Sequence, residues 1–453
     1  MVERGNRKPS FKAGIYLLEN LTSGMYTEPL AILREYIQNG VDSIDLSAEK
    51  GSVEQLEIKI ELDPGERRIL IRDNGNGIPA AYAQEVLSSI GSSNKTVPHL
   101  RGFRGIGRLG GIAFSDTAIF KTKAKGENVE SVQEWDCKYL RELLTETKNR
   151  KLTINHVLKK ITFFSQKKCK RSLDSFFEVT LYGVSSFRNY IFDITKVKRY
   201  LSQVAPVPFH PNHFSYGQAI DQYLEQNLKH YRKYNVILNG ERIFKPYKDI
   251  IKITKGGFDR LTGIKFFDLR DENGESMAYG WLGDREKLLG SIIKGDDSSG
   301  IRVRVGNIMI GDEHLLDRCF REPRFNSYVV GEIHIEYDGL IPNSRRDDFV
   351  DNRSKNIFYN SVEKQIGLPI SKEIRLKSRI KSECLIKMTP VRKEEERADK
   401  TPLPILESEP EKEANTTKAS KEQPDIVLTE IMRTCKDCPK FTEIIREIFN
   451  RNR

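Results

Sequence analysis

Glu35, Asn39 and Asp42 stand four and three residues apart in the stretch 30–45. On a helix those intervals place an acid, an amide and an acid on one stripe. Such a stripe is a costly way to build a core-facing helix; a plain solvated face is the alternative reading. Asp73 closes the apolar run 68–72 and is followed by Gly75 and Gly77. A carboxylate there can accept a hydrogen bond from an exocyclic amine, and the glycines let a flat ring approach the backbone. The same pattern also suits an ordinary turn. The third stretch, 102–111, contains Gly105-x-Gly107-x-x-Gly110. A glycine-rich segment that opens a helix can cradle a phosphate with its backbone N–H groups. Lys95, Arg101, Arg104 and Arg108 add positive charge nearby.

The elements that must position these residues follow from periodicity. Ile32, Leu33, Ile37, Val41 and Ile44 recur at helical spacing, so 30–45 reads as an amphipathic helix. Residues 53–62 and 68–72 alternate apolar and polar around Asp63-Pro64-Gly65, which reads as a hairpin that ends at Asp73. The Gly105 pattern is not a Rossmann fingerprint, because the polar stretch 91–101 before it, with Pro98, is no buried strand.

Glu35-x-x-x-Asn39-x-x-Asp42, Asp73-x-Gly75-x-Gly77 and the glycines of 102–111, in that order, resemble the N, G1 and G2 boxes of the GHKL ATPases. That superfamily includes gyrase, the heat-shock chaperone, histidine kinases and the MutL proteins. The run from Met25 to Ile44 is most similar to the ninety-kilodalton heat-shock chaperone; Gly102-Phe103-Arg104-Gly105 is closer to the MutL type. The resemblance implies a two-layer α+β sandwich (the Bergerat fold) that binds ATP with Mg²⁺. It implies Glu35 as the base that activates water and Asn39 as the protein ligand of Mg²⁺. Asp42 lines the site, and Asp73 reads the adenine amine with Gly75 and Gly77 beside the ring. Lys95, Gly105, Ile106 and Gly107 hold the phosphates. A Leu-Pro-x-Asn-x-Ser-Arg stretch of the chaperone resembles 338–349 here, so Arg346 or its neighbour Arg345 would contact the terminal phosphate from a second domain. One feature departs: the usual Gly-Thr pair of the last strand falls on Phe176 and Phe177, with Thr180 out of register.

The whole chain has 453 residues, 38% hydrophobic and 31% charged, so two or more domains are expected. The expected division is 1–206 for nucleotide, 207–385 for an α+β transducer, 386–424 as a disordered Lys/Glu/Pro-rich linker and 425–453 as a helical tail. Further strands are expected at 117–123, 176–182, 235–238, 263–268, 301–310 and 329–336, and helices at 80–90 and 194–206. Lys167, Lys168, Lys170 and Arg171 read as a solvated loop. In the tail, Cys435-x-x-Cys438 supplies half the thiolates of a structural zinc site, so docking or dimerisation by a helical hairpin is favoured. The scattered cysteines, and the lack of an apolar leader or span, set the expectation of a cytoplasmic protein with no membrane partner.

The net charge is +11, which permits a nucleic-acid partner without requiring one. Fold does not fix the task. A homodimeric clamp that closes with ATP on a protein client is the first reading. A MutL-like or MORC-like clamp on DNA is the second, and a nucleotide-binding regulator without turnover the third.

Overall fold

The structure, a computed structural model, describes residues 13–22, 29–49, 56–91, 107–146, 152–170, 174–185, 188–254 and 257–398, the side chains of 21, 22, 49, 108, 188, 189 and 384–398 excepted. Helix α1 (Ile15–Thr22) precedes α2 (Ala31–Glu49), which carries the acid–amide–acid stripe. The expected hairpin is β1 (Glu57–Asp63) and β2 (Arg68–Asp73), antiparallel with Ile60 opposite Ile71. Strand alternation sends Ile58, Ile60 and Leu62, then Ile69, Ile71 and Asp73, to the buried face. The apolar residues of that face join Ile37, Val41 and Ile44 of α2 in one core. Parity thus turns the Asp73 carboxylate inward.

Next come α3 (Ala80–Ser88), β3 (Thr117–Lys123), β4 (Val129–Asp136), α4 (Cys137–Thr145), α5 (Ile154–Ile161), β5 (Thr162–Lys168) and β6 (Phe176–Tyr182). The strands expected at 117–123 and 176–182 are β3 and β6. The Lys-rich stretch between them is built from four further elements, and Lys167 and Lys168, expected in a loop, end strand β5. Then follow α6 (Arg188–Ile191), α7 (Ile194–Val204), α8 (Gly217–Asn227), β7 (Asn235–Leu238) and β8 (Glu241–Arg242). The first sheet has the order β5-β4-β3-β6-β2-β1-β7-β8. It therefore takes in 235–242, beyond the division expected at 206, because β7 pairs parallel to β1 with Leu238 opposite Ile60.

The second sheet is formed by β9 (Ile250–Ile253), β10 (Gly257–Arg270), β11 (Ser276–Arg285), β12 (Gly300–Val305), β13 (Ile308–Ile310) and β14 (Val330–Ile335), in the order β13-β12-β14-β11-β10-β9. Helices α9 (Arg353–Val362) and α10 (Leu368–Ala398) follow. Helix α10 runs past 386, where the linker was expected to begin. Residues 399–424, the tail 425–453 and its two cysteines lie outside the described residues. The class is mixed α/β, and the described residues up to Ile386 pack as one compact unit. Among the described residues no helix is long and apolar enough to cross a membrane.

Helix α7 is tied to the second sheet by buried charge. Arg304 of β12 donates to the Gln203 carbonyl at 2.7 Å, and Arg302 reaches Gln203 Oε1 at 3.1 Å. Arg304 also pairs with Glu332 of β14, and Lys245 Nζ lies 2.6 Å from the same carboxylate, all three side chains fully buried. Burial pushes the Glu332 carboxyl up, but Arg304 and Lys245 outweigh it and hold the group well below its usual range. His334 Nε2 meets Glu332 Oε2 at 3.0 Å, while its buried Nδ1 has no hydrogen-bond partner among the described residues. Protonating Nδ1 would create a buried N–H with no acceptor. Burial accordingly lowers the His334 pKa to about 4.

The lowered His334 pKa predicts a pH dependence. Between an unfolded pKa of about 6.5 and the folded value, the unfolded chain binds more protons, so stability falls as pH is lowered through that window. The expected loss is on the order of 2 kcal/mol at about pH 5, read from urea midpoints against about pH 7.5. His334→Gln should flatten this part of the profile; an unchanged slope would mean that another group carries it.

Candidate functional site

Two clusters form along α2. At one end Asp73 lies against the helix: a methyl group on Gly40 would come 3.1 Å from Asp73 Cβ. Asp73 Oδ1 accepts from Gly75 N at 2.9 Å. The turn after β2 is clipped to α2, since Ser47 Oγ donates to Asn76 Oδ1 at 2.7 Å and Asn76 N donates to the Ser43 carbonyl at 3.4 Å. Ser175 Oγ donates to the Gly75 carbonyl at 2.6 Å from the far side. Gly77 has φ +63°, and a Cβ there would stand 2.0 Å from the Lys123 carbonyl oxygen. This contact gives Gly77 a structural reason beside the expected approach of a ring. The place where its side chain would stand is filled by β3 backbone, and the glycine serves the turn.

The other cluster surrounds Glu35. This carboxylate is buried, 8% exposed. Gly107 opens the short helical turn Gly107–Ala113, and a Cβ on it would lie 2.5 Å from Glu35 Oε2. Arg346 Nε approaches Glu35 Oε1 at 3.5 Å and Arg34 Nε approaches it at 3.9 Å, yet Oε1 makes no hydrogen bond among the described residues. The sequence left Arg345 and Arg346 as alternatives; the side chain beside Glu35 is that of Arg346, while Arg345 is exposed. Arg346 adopts φ +57°, a conformation that costs a non-glycine residue on the order of 1 kcal/mol. The turn holds it there: Arg346 N donates to the Asn343 carbonyl at 3.2 Å, and Gly311 N donates to the Arg346 carbonyl at 2.8 Å.

Between the clusters Asn39 is half-buried and Asp42 fully buried on α2. Lys95, Gly105 and Ile106 lie outside the described residues. Thr180 cannot stand in for the missing Gly-Thr pair. It is opposite Leu70, whereas Phe177 is opposite Asp73, so strand parity puts Thr180 on the other face of the sheet. Phe177 occupies the place beside Asp73.

Sequence reading missed Arg34, whose Nη2 donates to the Arg345 carbonyl at 2.8 Å and so links α2 to the Arg346 turn. Its one available signal was its place next to Glu35. Ser43, one helical turn beyond Asn39, and Ser47, one turn further and just past the stretch 30–45, were also missed.

No curated protein matches the chain. Residues 26–167 match the family model described as histidine kinase-, DNA gyrase B-, and HSP90-like ATPase. That span takes in α2, the β1–β2 hairpin and Gly107, the elements that meet at Glu35 and Asp73, and it supports the GHKL superfamily and ATP binding for this part of the chain.

Proposed function

We propose that the protein hydrolyses ATP and uses the nucleotide to drive a clamp. The observation that carries this reading is the meeting of three separate stretches at one carboxylate: α2 supplies Glu35, the glycine-rich stretch supplies Gly107, and a turn of the second sheet supplies Arg346. Glu35 and Gly40 are five residues apart, about 7.5 Å along a helix. Base recognition at Asp73 and phosphate chemistry at Glu35 would thus fall at two places along α2.

Terminal-phosphate hydrolysis needs a positioned water, a base and charge neutralisation. Glu35 would orient and deprotonate the water; its buried Oε1 makes no hydrogen bond among the described residues. Arg346 would face the terminal phosphate and stabilise its developing charge. The half-buried Asn39 carboxamide, one turn from Glu35, fits a single oxygen ligand for Mg²⁺, which keeps most of its shell for water and phosphate. When bound, that ion supplies charge neutralisation at the phosphates.

The favoured task is a chaperone-like homodimer that closes on a protein client. A clamp on DNA is the second reading, favoured by the +11 charge and by exposed Lys167, Lys168 and Lys170 at the β5 edge of the first sheet. Steep salt dependence of DNA binding by the full chain would select it.

Asp73→Asn tests the nucleotide assignment. The amide can keep an acceptor toward Gly75 N while presenting a donor to the adenine amine, so the local fold should hold and ATP affinity should fall about a hundredfold. Titration calorimetry with ATP on wild type and variant reads this directly. Equal affinities would remove Asp73 from the site.

A further inference from the structure

Most of the excess charge of the chain sits in one stretch. Residues 147–173 hold nine lysines and arginines and no aspartate or glutamate, against a net charge of +11 for all 453 residues. Five of the nine are lysines among the described residues. Lys159 and Lys160 stand in the last turn of α5, Lys167 and Lys168 end β5, and Lys170 follows it. All five are exposed. Among the described residues none of the five pairs with a carboxylate. Glu130, opposite Lys167 on β4, is taken by Lys121 at 3.0 Å. Strand β5 is an outer strand of the first sheet, and α5 runs straight into it, so these charges gather at one edge of the molecule.

Lysines commonly guard an open sheet edge, and basic residues suit the last turn of a helix. Either duty takes one or two cations and tolerates acids nearby, so neither accounts for the whole stretch. A guarded edge also avoids exposed apolar side chains, yet Phe163 on this edge is 60% exposed. Its neighbour Phe164 packs against the core, so alternation turns Phe163 to the outer face of the sheet together with Lys167. The two are four residues apart, about 13 Å along a strand. Glu134, exposed opposite Phe163, is the neighbouring acid, and the five lysines outnumber it.

Unpaired lysines offer contacts to phosphates, and a flat exposed ring among them offers a platform for an unpaired base. A duplex keeps its base faces stacked and would leave the ring unused. A bilayer needs an apolar face to enter, and one ring is too little. We propose that the edge formed by α5 and β5 binds single-stranded nucleic acid, with the lysines on phosphates and Phe163 against a base. This gives the DNA-clamp reading a defined surface and strand type, but the surface itself rests on the charge pattern and the ring, not on ATP hydrolysis.

The test is fluorescence anisotropy of the full chain, without nucleotide, at about 50 to 200 mM salt. The probes are labelled oligothymidine, oligouridine and a DNA duplex of equal length. Wild type should bind a single strand more tightly than the duplex, with log affinity falling as log salt rises; the tighter of the two single strands names the sugar. The double variant Lys167→Gln, Lys168→Gln changes two exposed side chains, so the fold should hold. Its single-strand affinity should fall about tenfold, with a salt slope shallower by about one. Phe163→Ala should lose about tenfold on single strands with the slope unchanged and duplex binding unaffected. No single-strand binding at the lowest salt, a preference for the duplex, or wild-type binding by either variant would overturn the proposal. Retention on phosphatidylserine vesicles without oligonucleotide binding would overturn it in favour of a membrane surface. Asp73→Asn should bind the strand as wild type does while losing ATP; loss of strand binding there would move the site to the nucleotide cleft and overturn the proposal. Strand binding by a wild type that binds no ATP would uphold the surface and overturn the ATPase reading alone.

Discussion

Glu35→Ala should still bind ATP and should lose turnover by about a hundredfold or more. The base touches the attacking water, not the nucleotide, so its loss leaves the binding groups in place. The geometry adds a complication that a control can separate. Glu35 is the carboxylate beside Arg346 and Arg34, and removing it leaves two buried guanidinium groups with less compensating charge. Glu35→Gln keeps the shape and hydrogen-bonding capacity but not the basicity. If the loss reflects the missing base, both variants should fall alike in kcat while ATP affinity stays near wild type. Wild-type turnover in Glu35→Gln would remove Glu35 as the base. A loss confined to Glu35→Ala would point to collapse of the arginine cluster instead.

How much of this site was legible in the sequence depended on which residues obey a simple period. The α2 stripe and the β1–β2 alternation are local patterns, and they placed Glu35, Asn39, Asp42 and Asp73 on their elements correctly. Strand β5 was missed because Phe163, Ser165, Gln166, Lys167 and Lys168 are exposed at a sheet edge, so alternation is lost. Strand β7 was found, but four residues do not reveal which sheet they join; only pairing with β1 does. Glu332 and His334 alternate with apolar residues on β14, the usual pattern of a solvent-facing side, yet they are buried with Arg304 and Lys245. Polar alternation cannot distinguish water from a partner that arrives from elsewhere in the chain. The choice between Arg345 and Arg346 was closed to sequence for a related reason. It turns on one left-handed residue in the turn, which decides which of two adjacent side chains points inward.

Arg346→Ala should slow hydrolysis strongly and leave ADP affinity nearly intact, because ADP lacks the phosphate that this arginine would meet. Its side chain already stands beside Glu35, delivered by a turn that Gly311 and Asn343 hold in place. A terminal phosphate bound next to Glu35 would fall within reach of the same guanidinium, giving α2 and the second sheet a shared contact that ADP cannot supply. A ligand shifts a conformational equilibrium only by its differential contacts with the two states. ATP should therefore favour a compact or dimerised form that ADP does not, and closure should complete the site and exclude water. Arg345 is the internal comparison, since its side chain is exposed and only its carbonyl receives Arg34. Arg345→Ala keeps that carbonyl, so it should preserve the ATP-driven change of shape that Arg346→Ala loses. Small-angle scattering and crosslinking of wild type and both variants, with ADP and with a non-hydrolysable ATP analogue, read the difference. If wild type has one shape with both nucleotides, or if Arg346→Ala closes and hydrolyses as wild type does, the second sheet senses no phosphate and the clamp reading has to be given up.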